Sequence, residues 1–267
     1  MTVPSTIKII INGKMPRGVF ARDVILFVGK KIPEESLAGK TVEFYGTTIS
    51  QMSISERYTL CDQIRELGAA TSLVPFDSIT RRYLNRRTNM PYRPALADKD
   101  AVYLESYEFN IDSLSPQTAC PHAPNNVVSV NEIEGQPIQQ IVIGSGINGR
   151  LDDLRIVADI LKGRKVNNNV RLMICPGSRS IYIEALKKGL IRAFMDAGAI
   201  VMNPGTVPWQ VNHQGYLASG ENCLTTIVSN RKGAMGSPDA NIFLASPATA
   251  AASAIKGVIT DPSGYIK

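Results

Sequence analysis

The 267-residue chain has no hydrophobic run near the length of a membrane span. Its longest apolar stretches, such as Val24–Val28 and Ile141–Ile143, fall far short of the ~20 residues required. Met1–Gly18 carries two prolines, polar side chains and three basic residues around one short apolar run, and lacks a signal-peptide core. A cytoplasmic protein with no membrane partner is expected. Clustered cysteine is also missing. Cys61, Cys120, Cys175 and Cys223 form no CxxC and no close pair. Reduced, mostly buried thiols are expected, since zinc and iron–sulfur sites need grouped thiolates. Charge of one sign is scarce: 29 basic against 23 acidic residues leave +6. That is too mild for a nucleic-acid footprint, and no aromatic stripe accompanies it. Only Arg81-Arg82 and Arg86-Arg87 concentrate the charge, as an exposed basic edge that favours an acidic partner or simple solubility. With 44% hydrophobic and 19% charged residues, disorder is excluded.

What is present reads as α/β. Thr6–Ile11 is β-branched and ends at Asn12-Gly13, a strand and turn. Ala21–Gly29 predicts a helix and Thr41–Tyr45 a strand. In Ser53–Gly68, Ile54, Tyr58, Cys61, Ile64 and Leu67 recur at helical steps before a glycine stop. Asn85–Asp100 is polar and reads as a surface excursion. Pro116–Asn126 holds three prolines and two asparagines and reads as a linker. The expected division is a first subdomain over 1–115, a linker over 116–136 and a second subdomain over 137–267. In the second, strands at Ile138–Ile143, Val170–Ile174, Ala199–Met202, Leu224–Val228 and Asn241–Leu244 alternate with helices at Leu151–Leu161, Ser180–Ala197 and Ala248–Lys256. This alternation predicts βαβ units on a mostly parallel sheet.

Gly144-Ser145-Gly146-Ile147-Asn148-Gly149 fits GxGxxG between a strand and a helix. The ribose-binding acid expected about 20 residues on is missing, so a dinucleotide is disfavoured and a tight turn is the plain alternative.

The longer segment Ile143–Arg155 resembles the IGSCTNGRxxDLR motif of the aconitase and isopropylmalate dehydratase large subunits. Cys120–Val127 resembles that family's PHxPxNV linker, and Ala197–Gly205 its AGA…NPG segment. Met235–Asp239, Leu244–Ile255 and Thr260-Asp261-Pro262 resemble its MGSP…LASPATAAASAI…TDP ending; Thr59–Glu66 resembles TICNMxxE. The resemblance covers nearly the whole chain and corresponds to the C-terminal half of a large subunit. It implies an aconitase-like three-layer α/β/α fold in two subdomains with mostly parallel sheets. It also implies three cysteines holding an iron–sulfur cluster with one iron open as a Lewis acid. Here those positions are Gly146, Thr206 and Trp209, none of which offers a thiolate. An ungapped alignment turns the family's NRNFxGR carboxylate clamp into Val228–Ala234, replacing its arginines by Ser229 and Ala234; a two-residue shift would recover one.

The expectation is therefore a chain without cofactor or metal. Gly146, Ile147, Thr206, Val207, Trp209, Ile227 and Val228 should converge where the cluster lay, with Arg150 and Ser229 on the same pocket. They form a mainly apolar hollow for a greasier small molecule, or a plug led by Trp209 that fills a void. Asp62 and Glu66, four apart on one helix, could share an acid–base role or be solvated and balanced by Arg57 and Arg65. Glu66 stands at the family's Glu beside the open iron, and Asp62 replaces its Asn. His213 and Asn148 are the other polar candidates, each with a structural alternative; Arg150 could instead pair with Asp152 or Asp153. The leading expectation is a cofactor-independent lyase, isomerase or cyclase of specialised metabolism. Alternatives are a non-catalytic or half-site subunit of a dehydratase-like hetero-oligomer and a fragment of a conventional hydroxy-acid hydro-lyase. A homo-oligomer or a small swivelling subunit is the expected protein partner.

Overall fold

The computed structural model describes residues 3–205 and 214–266. Of the expected site, Thr206, Val207, Trp209 and His213 lie outside the described residues.

The first half builds β1 (Thr6–Asn12), α1 (Ala21–Lys31), α2 (Glu34–Leu37), β2 (Thr41–Tyr45), α3 (Thr47–Gln51), α4 (Ile54–Glu66), β3 (Thr71–Leu73), α5 (Ser78–Asn85) and β4 (Glu105–Asn110). These strands form a parallel sheet in the order β3-β2-β1-β4. Ile7, Ile9 and Ile11 alternate inward along β1 and pack with Val24, Ile25, Leu60 and Ile64. β1, β2, α1 and α4 start and stop within a few residues of the sequence expectation; β3, α5 and β4 carry too little pattern to be read.

The second half builds β5 (Gln117–Ala119), β6 (Val127–Ser129), β7 (Gln140–Gly144), α6 (Leu151–Leu161), β8 (Arg171–Cys175), α7 (Arg179–Lys187), α8 (Leu190–Ala197), β9 (Ile200–Val201), β10 (Asn222–Thr225), β11 (Asn241–Leu244) and α9 (Pro247–Lys256). The sheet order is β6-β5-β11-β10-β7-β8-β9. From β11 to β9 every neighbour is parallel; β5 and β6 add an antiparallel edge. All five β7 residues are buried, as a central parallel strand covered on both faces must be. α6, α8 and α9 pack on one face through Leu154, Val157, Phe194 and Ala250. This is the mostly parallel, layered α/β class expected.

Two expectations need correction. The stretch 116–136 is not a bare linker. It supplies β5 and β6, which pair with each other and, through β5, with β11, while the Gln117 backbone N–H donates to the Asp23 carboxyl on α1 at 2.8 Å. The helix expected over Ser180–Ala197 is two helices. Gly189 adopts φ 73° between α7 and α8, which lets the chain turn and leaves Leu186 exposed.

α1 joins the two sheets. Val24, Ile25 and Val28 pack in the first core, whereas Leu26 packs in the second beside Ala119 and Val142. Its Arg22 and Asp23 are buried in this shared layer.

Candidate active site

The site grows from the β7–α6 loop. Gly144 holds φ 106°, and a Cβ there would stand 2.1 Å from the Cys175 carbonyl oxygen. A Cβ on Gly149 would meet the Ser145 carbonyl oxygen at 2.4 Å. Both positions therefore demand glycine. Gly146 does not: it is exposed, and a Cβ there meets nothing within 4 Å. Ser145 and Asn148 adopt left-handed backbone, at φ 76° and 54°. That turn sends Asn148 inward, where its amide nitrogen donates to the Thr226 carbonyl at 3.0 Å and its oxygen accepts from the Thr59 hydroxyl at 3.1 Å. Asn148 thus ties α4, the loop and the end of β10 together. Thr226 also receives the Gly144 N–H on its hydroxyl at 2.9 Å. The Cys175–Ser178 turn is spent locally: Gly177 N–H donates to the Gly149 carbonyl, and the Ser178 hydroxyl caps α7.

Arg22 reaches this junction from α1. It is buried, donates to the Thr226 carbonyl at 2.5 Å and to the Gln63 side-chain oxygen, and leaves its Nε without a partner. Burial lowers its pKa to about 10, opposed by the charges of Asp62, Asp153, Asp23 and Glu66. Around it, burial raises the Asp62 carboxyl against the pull of Arg22 and Arg65. Burial also pushes Asp153 up to about 7, opposed by the Arg150 N–H that donates to its carboxylate at 3.0 Å. Phe20, Arg22, Thr59, Asn148, Asp153 and Pro247 share a cleft of about 420 Å³. The arrangement offers one buried cation beside Asp153, with its pKa raised to about 7, and Asp62, raised by burial, which is the equipment of acid–base chemistry.

The structure thus brings Asp62, Glu66 and Asn148 around a residue that sequence reasoning missed. Arg22, Gln63, Asp153 and Thr226 are new to the site. The legible signal was Arg22-Asp23 inside an otherwise apolar helix. Arg57 does not balance Asp62 or Glu66; it is bound to Asp77 at 2.5 Å. Arg150 makes no side-chain ion pair with Asp152 or Asp153; its guanidinium lies 4.1 Å from the centre of the Tyr58 ring. Gly146 is exposed, and Ile147, Val228 and Ser229 are half-buried.

The side chains present do not fit an iron–sulfur cluster. Gly146 has no donor atom, and Thr206 and Trp209 bring no thiol. Cys175 and Cys223 are buried in β8 and β10, where desolvation pushes both thiols up to about 12. Burial raises Cys61 and Cys120 as well. Among the described residues no group of three or more His, Cys, Asp or Glu is placed to hold a metal ion.

Fold and site together define an α/β protein with a cleft at the carboxyl end of a parallel strand, β7. A sequence model of the aconitase family (aconitate hydratase) matches residues 1–257, and the chain belongs to that family. It is 44% identical over 265 residues to the 3-isopropylmalate dehydratase large subunit 2 of Archaeoglobus fulgidus, covering 99% of this chain and 64% of that one. It is 43% identical over 260 residues to the probable methanogen homoaconitase large subunit of Methanosarcina mazei, covering 97% and 66%. The large subunit 1 of Thermotoga maritima 3-isopropylmalate dehydratase is 42% identical over 267 residues, covering 99% and 64%. The chain therefore spans a little under two thirds of the length of these curated relatives. The crystal structure of Thermococcus kodakaraensis aconitase X in its holo-form matches with a TM-score of 0.44 and 15% identity, covering 88% of this chain and 49% of that one.

Proposed function

We propose that the chain carries part or all of a lyase active site, of the hydroxy-acid hydro-lyase type, whose proton transfers are made by side chains. The observation that carries this reading is buried Arg22 beside Asp62 and Asp153, on a chain that matches dehydratase large subunits along its length. Elimination of water next to a carboxylate needs a base for the Cα proton, an acid for the departing hydroxyl and a cation for the charge between. Asp153 with a pKa of about 7 can take or give a proton near neutral pH. Asp62 offers a second carboxyl with raised proton affinity, and Arg22 holds fixed positive charge in a desolvated place. Asn148 and Thr59 position the cleft wall against α4.

Independence from a cluster belongs to the same proposal and rests on Gly146, Thr206 and Trp209. Those replacements also support a second reading, in which an apolar substrate occupies the altered site for isomerase or cyclase chemistry. The test is turnover of 3-isopropylmalate by anaerobically purified protein, followed through the ultraviolet absorbance of the unsaturated acid. Turnover that survives an iron chelator and falls about 100-fold in Asp153→Asn supports the main reading. Turnover that appears only after iron and sulfide are added overturns it. If no hydroxy acid turns over, a co-purifying apolar ligand favours the second reading, and its absence favours a half-site subunit.

A further inference from the structure

A second cleft, of about 510 Å³, opens between α5 and the start of α6, and four of its side chains are arginines: Arg82, Arg86, Arg87 and Arg150. Its one carboxylate, Asp152, is already engaged by the Ser55 hydroxyl at 3.0 Å and by Arg155 at 3.4 Å. Among the described residues, no ion pair uses any of the four arginines. The Nε of Arg150 is buried without a hydrogen-bond partner, while its guanidinium is oriented by stacking on Tyr58.

Like charges this concentrated repel, so the arrangement costs stability unless something offsets it. A helix C-terminus rewards one or two cations, and Arg82 and Arg86 lie in the last turn and the cap of α5. That reward does not explain Arg150, which faces them from a different segment. Nor are these arginines on a loose arm. The Arg57 guanidinium binds both carboxylate oxygens of Asp77, the cap of α5, at 2.9 and 2.5 Å and fastens α5 to α4. The backbone that carries Arg82 and Arg86 is thus held in place; these two and Arg87 are exposed, Arg87 lies over the Tyr83 ring, and among the described residues no anion pairs with the four guanidinium groups.

We propose that this cleft binds a small anion carrying two or more carboxylate or phosphate groups. The cleft adjoins the one lined by Asn148 and Arg22, sharing Ser53, Ser55 and Asp152 with it, but none of the four arginines lines that neighbour. Titration calorimetry at matched ionic strength, with citrate, pyrophosphate and acetate as probes, tests it. Citrate or pyrophosphate should bind with measurable heat, acetate should not, and Arg82→Ala/Arg86→Ala should weaken binding by about tenfold or more. Preference for citrate identifies a polycarboxylate site, and preference for pyrophosphate a phosphate site. Arg81→Ala removes one charge outside the lining and should leave affinity within about twofold. Equal loss in the Arg81 variant, or no binding beyond that of acetate, overturns the proposal. Circular dichroism of the double variant confirms that the comparison is between folded proteins.

Discussion

Gly146 is a glycine that the backbone does not demand. Its neighbours Gly144 and Gly149 cannot take a Cβ, but position 146 is open and keeps an ordinary backbone conformation. Gly146→Cys should fold, with a melting temperature within about 3 °C of the parent; a larger fall would show that glycine is structural there. The identity of this residue was legible in the sequence; the free space around it was not, because space depends on what the fold leaves nearby. Asp153 is the reverse case. The sequence shows an ordinary acid in the first turn of α6, and only burial makes it unusual. Its folded pKa of about 7 lies above the ordinary value of 3.8, so between about pH 4 and 7 the folded chain keeps a proton that the unfolded chain releases. Stability should fall as pH rises through that window, and Asp23, also raised to about 7 by burial, adds to the fall. Asp153→Asn keeps an oxygen for the Arg150 N–H and should flatten the slope, read as urea midpoints across the window. An unchanged slope would show that Asp153 is ionised in the folded state.

At the scale of elements, α5 depends on one buried side chain. Arg57 donates to Asp77, to the Thr80 hydroxyl and to the Met52 and Ile49 carbonyls. Arg57→Ala strands those acceptors and should cost about 2–4 kcal/mol in urea unfolding, with faster hydrogen exchange along α5. Loss below about 0.5 kcal/mol would mean that α5 is held by other contacts. The partner group reports the same bond by titration. Hydrogen bonding from Arg57 lowers Asp77 from 3.8 to about 2, so its stabilisation is present above about pH 4 and is lost as pH falls toward 2. Elements with clear apolar spacing, such as α4 and α6, were readable in advance. α5 was not, because its seat comes from an ion pair across 20 residues rather than from an apolar stripe. The break at Gly189 escaped for a related reason: Ile181, Ala185, Leu186, Leu190 and Phe194 keep helical spacing across it, so the pattern runs straight through a change of direction.

Across the whole molecule, the two sheets are joined by α1, which carries buried Arg22 and Asp23. Leu26 carries the α1 contact to the second core; Leu26→Ala should cost about 2–5 kcal/mol and lower the midpoint of the entire chain as one transition. Two separated transitions would show instead that the halves unfold independently. The family and its fold were legible from long motifs, because those motifs are local in sequence. The site was only half legible: Asp62, Glu66 and Asn148 could be named, but Arg22 and Thr226 come together across 204 residues.

The central proposal is that side chains alone equip this aconitase-family site. Iron and acid-labile sulfide per chain, measured after anaerobic reconstitution with both, test that most directly. Background amounts of each, with no charge-transfer absorbance, are expected. A full cluster complement bound to every chain would contradict the proposal.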